Sequence, residues 1–272
     1  MAESIAAIVD RLLAARDAGS QIPPITDGNP EFDLAAAYRV LAAITARRTA
    51  AGERPVGWKI GFTNRTIWDE YGVHAPIWGR MYHSTVREVA FNETIECPLH
   101  GLAEPRLEPE IVFRVARSPE PGAAGEALFD CLDGVAHGFE IVQSIFPGWR
   151  FRAADTVAAC ALHGRLYHGP FALLDGPDAR SEWLPHLADF EVVLSRDGAV
   201  VDRGHGQNVL DGPLGALADF VRALDATSGE RLKPGDIVTT GTVTRAFPAV
   251  AGETWSTRVV GIGLPGLRIV FG

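Results

Sequence analysis

The chain has 272 residues, 47% hydrophobic and 22% charged, an ordinary globular composition and long enough to bury a core without disulfides. A net charge of −9 and a pI near 5.4 argue against nucleic acid as a partner, and no apolar run reaches the length of a membrane span. The N-terminal segment lacks a basic leader, and Cys97, Cys131 and Cys160 fit neither a disulfide framework nor a Cys-x-x-Cys metal site, so reduced thiols and a cytoplasmic location are expected.

Ile5, Ile8, Leu12 and Leu13 recur at helical spacing and predict a first helix over residues 3–17. Asp33 is placed to cap a second, running to about Arg48 with Gly52 just past its end. The segment QIPPITDGNP between them reads as turns. From residue 55 the pattern changes to strands, first VGWKIGF. Thr63 is placed to cap a short helix through Tyr71. IWGRMY and VREVAFNETIE follow, the latter turning at Asn92-Glu93, and then the acidic strand 108–116. A short helix is expected near 124–131 and a strand over 135–144. RAADTVAACALHG (152–164) reads as a helix that Asp155 opens and Gly164 ends, and RLYHGPFALL returns to strand. FEVVLSRDGAVVDRGHG predicts a hairpin about Asp197-Gly198. PLGALADFVRALDATSG predicts an amphipathic helix with Pro213 in its first turn, and GDIVTTG, ETWSTRVVGIG and LRIVFG three closing strands. Helices do not alternate with strands, which argues for an α+β fold: a helical N-terminal portion (1–54) and a large mixed β core (55–272).

Glu108 and Glu110 sit one residue apart in the apolar run LEPEIVFRV, so a strand aims both at one point. Glu140, in VAHGFEIVQ, can join them from a neighbouring strand. A buried carboxylate needs a compensating partner, and three of them without a thiolate cluster suit a hard divalent cation, Mg²⁺ or Mn²⁺. The bland alternative is a solvated edge strand marked by Pro109, with Glu140 paired to an arginine. Of 25 basic residues only Lys59 and Lys233 are lysines. Lys233 lies in a turn-like KPGD, whereas Lys59 lies inside an apolar strand, where a lysine can exchange a proton as an arginine cannot. The competing reading of Lys59 is a side chain that snorkels from a strand end.

Taken in order, GWKIGFTN, the short helix ending in YGV, APIWGRM, LEPEIVFRV, FEIVQS and LKPGDIVTTGTV resemble the fumarylacetoacetate hydrolase superfamily. Within it the likeness is to the 2-keto-4-pentenoate hydratases and 4-oxalocrotonate decarboxylases of meta-cleavage pathways, from about residue 30 onward. No single motif is specific; the ordered set is. The resemblance implies a mixed β-roll core, with Glu108, Glu110 and Glu140 as ligands of Mg²⁺ or Mn²⁺ and Lys59 beside the substrate. It implies that Thr240, Gly241 and Thr242 lie near the carboxylate of a 2-oxo or 2-hydroxy dienoate acid. It also implies a homo-oligomer that can associate with a related pathway enzyme.

Two departures bear on the reaction. The family's hydratases carry an acid at the position of Ile77, where the decarboxylases are apolar, and Cys160, Leu162 and His163 replace a polar Asn and a Ser pair. A hydratase must then find its proton donor elsewhere, in His163 or His83. Arg80 and Arg106 are candidates to clamp a carboxylate, and Trp78 to wall the pocket, against the ordinary reading of surface arginines and core tryptophans, Trp58 and Trp149 included. His163 at a helix end can equally serve the helix dipole, and His205 a loop. The expectation is a metal-dependent lyase of the hydratase type, with a 4-oxalocrotonate-type decarboxylase next, then a hydrolase of acylpyruvates. The alternative outside enzymes is an inactive scaffold paralogue, against which the intact acidic triad argues.

Overall fold

The computed structural model describes residues 3–65, 68–71 and 73–272 of the chain. Helix α1 (Ile5–Ala18) starts where the Ser4 hydroxyl accepts the Ala7 amide at 3.2 Å, and stops at Gly19, which is left-handed. The segment expected as turns contains one helical turn, α2 (Ile25–Gly28). Asp33 then caps α3 (Leu34–Ala50) by accepting the Ala36 amide at 2.7 Å. The buried faces of these helices, Ile8 and Leu12 of α1 with Val40 and Ile44 of α3, join one apolar cluster with Trp58, Trp78, Val157 and Phe220. The N-terminal helices therefore share a core with the β region.

The strands are β1 (Pro55–Gly61), β2 (Ile77–Tyr82), β3 (Val86–Glu88), β4 (Thr94–Cys97), β5 (Arg106–Val115), β6 (Leu132–Val142) and β7 (His163–His168). They continue with β8 (Ala172–Leu173), β9 (Glu191–Arg196), β10 (Ala199–His205), β11 (Ile237–Thr242), β12 (Phe247–Pro248), β13 (Thr254–Val260) and β14 (Arg268–Phe271). Between them lie α4 (Trp68–Tyr71), α5 (Gly125–Phe129), α6 (Ala153–Ala158), α7 (Ala179–Trp183) and α8 (Pro213–Ser228). The larger sheet runs β2-β1-β11-β5-β6-β7-β3, with β12 on β5 and β8 on β6. The smaller runs β10-β9-β13-β14-β4. β1 and β11 are parallel while β11, β5, β6 and β7 pair antiparallel, so the expected mixed β-roll is present.

Alternation along β5 and β6 sorts their side chains. Leu107, Phe139 and Ile141 meet Leu194, Trp255 and Ile269 of the smaller sheet in one apolar cluster. The intervening acids face the other way. On α8, Ala216, Leu217, Phe220, Val221 and Leu224 are buried, and Phe220 meets the Trp58 ring edge-on at 5.5 Å. Each large side chain so buried contributes about 1.5–3 kcal/mol by leaving water. This apolar backing holds β1, and hence Lys59, in place. Among the described residues no helix is long and apolar enough to cross a membrane.

Two further elements differ from expectation. α6 stops at Ala158; Cys160, Ala161 and Leu162 all turn left-handed, and His163 opens β7 rather than closing a helix. The short helix expected from Thr63 is described only over Trp68–Tyr71; residues 66 and 67 lie outside the described residues. The predicted hairpin forms β9 and β10 with Asp197 and Gly198 both at positive φ, as a type I′ turn requires.

Candidate active site

Glu108 and Glu140 are direct cross-strand partners, and Glu110 follows two positions along the same face of β5. Each of the three offers a carboxylate oxygen within 4.8 Å of the others. Lys59, from β1, enters among them: its Nζ donates to Glu140 Oε2 at 2.6 Å and Glu108 Oε2 at 3.1 Å, and lies 4.0 Å from Glu110 Oε1. β11 stands between β1 and β5 and breaks register between Thr239 and Thr242. That irregularity turns the Gly241 amide onto Glu110 Oε2 at 2.7 Å. Gly241 has φ +100, and a Cβ there would lie 1.8 Å from Thr63 Oγ1, so only glycine fits.

The carboxylates are held by groups behind them. His163 Nδ1 donates to Glu140 Oε1 at 2.7 Å, and its Nε2 lies 2.8 Å from Thr85 Oγ1. His137 Nδ1 donates to the Glu110 carbonyl at 3.0 Å, and its Nε2 meets Thr257 Oγ1 of β13 at 2.8 Å, tying the two sheets together at the site. Burial pushes the His137 imidazole down to about 4. Burial also lowers His163, against the pull of Glu140. Both rings are therefore neutral donors at pH 7.

The three acids do not titrate alike. Burial raises Glu140, but Lys59 and His163 outweigh it and hold its carboxyl at about 2. Burial and the charge of Glu140 push Glu110 well above the ordinary carboxylate range. Burial opposes the charge on Lys59, but Glu108, Glu140 and Glu110 outweigh it and hold the ammonium pKa above its usual value. Glu110 Oε1 is fully buried and has no hydrogen-bond partner among the described residues. Were all three ionised, one ammonium would leave two negative charges unmatched, and Glu110 resists ionising for want of a second cation. An all-oxygen donor set with an orphaned oxygen and that charge deficit fits Mg²⁺ or Mn²⁺.

Lys59 and Glu108 line a cavity of about 650 Å³. Ile77, Trp149, Phe151, Ala161 and Leu162 supply apolar wall, and Gly241 and Thr242 another side. Arg106 lines it too, two residues before Glu108 on the same strand face, with its guanidinium 4.1 Å from the Trp149 ring centroid. Among the described residues Arg106 makes no ion pair, whereas Arg203 and Arg245 at the same cavity are held by Glu191 and Asp202.

Other residues singled out in the sequence lie elsewhere. Arg80 stacks on Trp58 at 3.2 Å and pairs with Glu230, and Trp78 stacks on Tyr38 at 4.3 Å. Both sit away from the cavity, because alternation along β2 puts them on the face opposite Ile77 and Gly79. His163 is sealed behind Glu140 rather than lining the cavity. Thr240 is buried and bonds the Ile111 carbonyl at 3.0 Å. His83, a second candidate donor, is half-exposed and accepts the Arg54 amide. The roles of His137 and the Gly241 amide as supports of Glu110 are not legible in the sequence; Gly241 is signalled only as part of TTGT, and nothing local marks His137.

No family profile matches the chain. It is 31% identical over 268 residues to a 2-keto-4-pentenoate hydratase of Burkholderia vietnamiensis, covering 96% of this chain and 95% of that protein. It is 28% identical over 271 residues to a 4-oxalocrotonate decarboxylase of Pseudomonas putida, covering 98% and 97%. Among solved structures, the 4-oxalocrotonate decarboxylase from Pseudomonas putida G7, complexed with magnesium and adipate, superposes with a TM-score of 0.89 at 26% identity over 98% of this chain and 97% of that one. The fumarylpyruvate hydrolase from Pseudomonas aeruginosa, in complex with Mn²⁺ and pyruvate, shares the fold, with a TM-score of 0.58 at 18% identity over 80% and 89%.

Proposed function

This chain belongs to the hydratase and decarboxylase branch of the fumarylacetoacetate hydrolase superfamily and is a divalent-metal-dependent lyase, and on that premise we propose that it hydrates a 2-hydroxy-2,4-dienoate of the 2-keto-4-pentenoate kind. The observation that carries the reading is the meeting of Glu108, Glu110, Glu140 and Lys59 at one cavity. Glu108, Glu110 and Glu140 would hold Mg²⁺ or Mn²⁺, as the magnesium and manganese complexes of the structural relatives support. When bound, the cation supplies Lewis-acid polarisation of the substrate's 2-oxygen.

The chain's own residues do the rest. Lys59 Nζ holds its proton among the carboxylates and is the group that donates it to the substrate carbon chain. Arg106, flat against Trp149, binds a carboxylate. Ile77, Leu162 and Phe151 exclude stray water and hold the diene against Lys59. His163 and the Gly241 amide keep Glu140 and Glu110 in their geometry. With this reading stand a cytoplasmic homo-oligomer and association with a related pathway enzyme, both implied by the resemblance.

A second reading, decarboxylation of a dicarboxylic 4-oxalocrotonate-like acid, is favoured by two observations. Ile77 walls the cavity with no acid at its position, and Arg106 is a guanidinium without an ion pair among the described residues, able to take a second carboxylate. The test is an ultraviolet assay with Mg²⁺ or Mn²⁺, in which 2-hydroxypenta-2,4-dienoate and 4-oxalocrotonate are supplied separately. Loss of the first absorbance alone supports hydration, loss of the second alone decarboxylation, and loss of neither overturns both.

A further inference from the structure

Between α6 and β7 three successive residues, none of them glycine, have left-handed backbone: Cys160 at φ 58, Ala161 at φ 50 and Leu162 at φ 62. Such a conformation costs an ordinary residue about 1–2 kcal/mol, so three in a row persist only where the surroundings over-determine them. The surroundings here do. Cys160 presses its carbonyl against Gly79, where a Cβ would lie 2.3 Å from that oxygen. The Leu162 carbonyl accepts the Gln143 amide at 2.9 Å.

The third restraint comes from the far N-terminal helix. Arg16 of α1 donates through Nη1 to the Ala159 carbonyl at 3.2 Å and through Nη2 to the His163 carbonyl at 2.9 Å. Those two carbonyls bracket the left-handed turn. Arg16 is buried, and among the described residues its Nε has no partner and it pairs with no carboxylate. Burying an unpaired guanidinium is expensive, and an apolar side chain would fill that helix position at less cost. The chain just after α1 is pinned to the same region, with Gln21 donating to the Ser144 carbonyl at 3.1 Å and the Ile22 amide to the Ile145 carbonyl at 2.8 Å.

What the bracketed turn carries is functional. Ala161 and Leu162 line the cavity, and the next residue, His163, holds Glu140. We infer that Arg16 is a positioning residue of the active site: by clamping both ends of the left-handed turn it sets the cavity wall and keeps His163 on Glu140. The inference rests on the reading of Glu140 as a metal ligand and of this cavity as the substrate site.

The test compares wild type with Arg16→Met and Arg16→Lys in three measurements: thermal midpoint, Mn²⁺ affinity by calorimetry, and kcat and KM on the dienoate. Arg16→Met is expected to weaken Mn²⁺ binding about 5- to 10-fold and to lower kcat at least 10-fold in protein that remains folded by circular dichroism. Arg16→Lys, which keeps the charge but reaches one carbonyl, is expected to recover part of both losses. Wild-type Mn²⁺ affinity and kcat in either folded variant, whatever the thermal midpoint, would make Arg16 a packing residue and overturn the inference. If Arg16→Met does not fold, Arg16→Lys alone decides, since intact kcat and affinity in it overturn the inference equally. Wild-type protein that binds no Mn²⁺ would overturn the functional reading first and the inference with it.

Discussion

Glu140 shares its two oxygens between unlike partners, and the Lys59 ammonium on one of them, at 2.6 Å, is buried together with the carboxylate it neutralises, at the floor of the cavity. Removal of either partner exposes the other's buried charge. Lys59→Met therefore leaves three carboxylates with no cation, and the metal-free protein should lose about 3–5 kcal/mol of stability. Added Mn²⁺ should restore much of the lost thermal midpoint, while activity stays down by about 10²-fold or more. Melting curves with and without Mn²⁺ check the first expectation, and the ultraviolet assay the second.

Glu110→Gln is expected to act in the opposite direction on the metal-free protein. Burial, and after it the charge of Glu140, disfavour ionised Glu110, whose Oε1 is also orphaned, so an amide that cannot ionise removes that cost and should raise apo stability by about 1–2 kcal/mol. The same change removes one of the proposed cation ligands. The Mn²⁺-induced rise in melting temperature should vanish, and turnover should fall below a hundredth of wild type. Turnover at the wild-type rate in the presence of chelator would be incompatible with the proposed centre.

His137 gives a pH dependence with a definite sign. Its folded pKa, about 4, is depressed below the unfolded value near 6.5, so the unfolded chain binds the extra proton first as pH falls. Its contribution to stability is intact above pH 6.5 and declines as pH drops towards 4, by roughly 3 kcal/mol in all. Urea unfolding at pH 7, 5.5 and 4.5 should show this slope, and His137→Asn should flatten it. Equal slopes in the two proteins would remove His137 as its source.

Gly241→Ala meets two obstacles, a backbone at φ +100 and Thr63 Oγ1 lying 1.8 Å from the new Cβ. A destabilisation of at least about 2 kcal/mol is expected from backbone strain and overpacking together. Because the Gly241 amide holds Glu110, Mn²⁺ affinity should fall as well, by about 10-fold. Calorimetry on the folded variant tells the two effects apart.

Much of this arrangement is legible in the sequence because it is local. Acids at alternate positions of an apolar run declare a strand with a polar face, and a lone lysine in an arginine-rich chain stands out by chemistry. The cross-strand pairing of Glu108 with Glu140 follows once β5 and β6 are neighbours. What is not legible depends on distant partners. The alanine-rich segment after Arg152 favours helix by propensity; its early stop is accompanied by a clamp from Arg16, 143 positions before Ala159. Alternation separates Ile77 from Trp78 and Arg80, but which face looks into the cavity is decided by α8 and Trp58 behind the sheet. His137 carries no signal until the smaller sheet brings Thr257 against it.

The strand order has a consequence for biosynthesis. β11 is the wedge between β1 and β5, so during translation both of those strands wait with open backbone edges until residues near 242 have left the ribosome. Unpaired edges of that kind recruit other chains, and pairing across such a separation is slow. A nascent or truncated chain ending before β11 is therefore the species on which chaperones must act, and it is the form expected to aggregate.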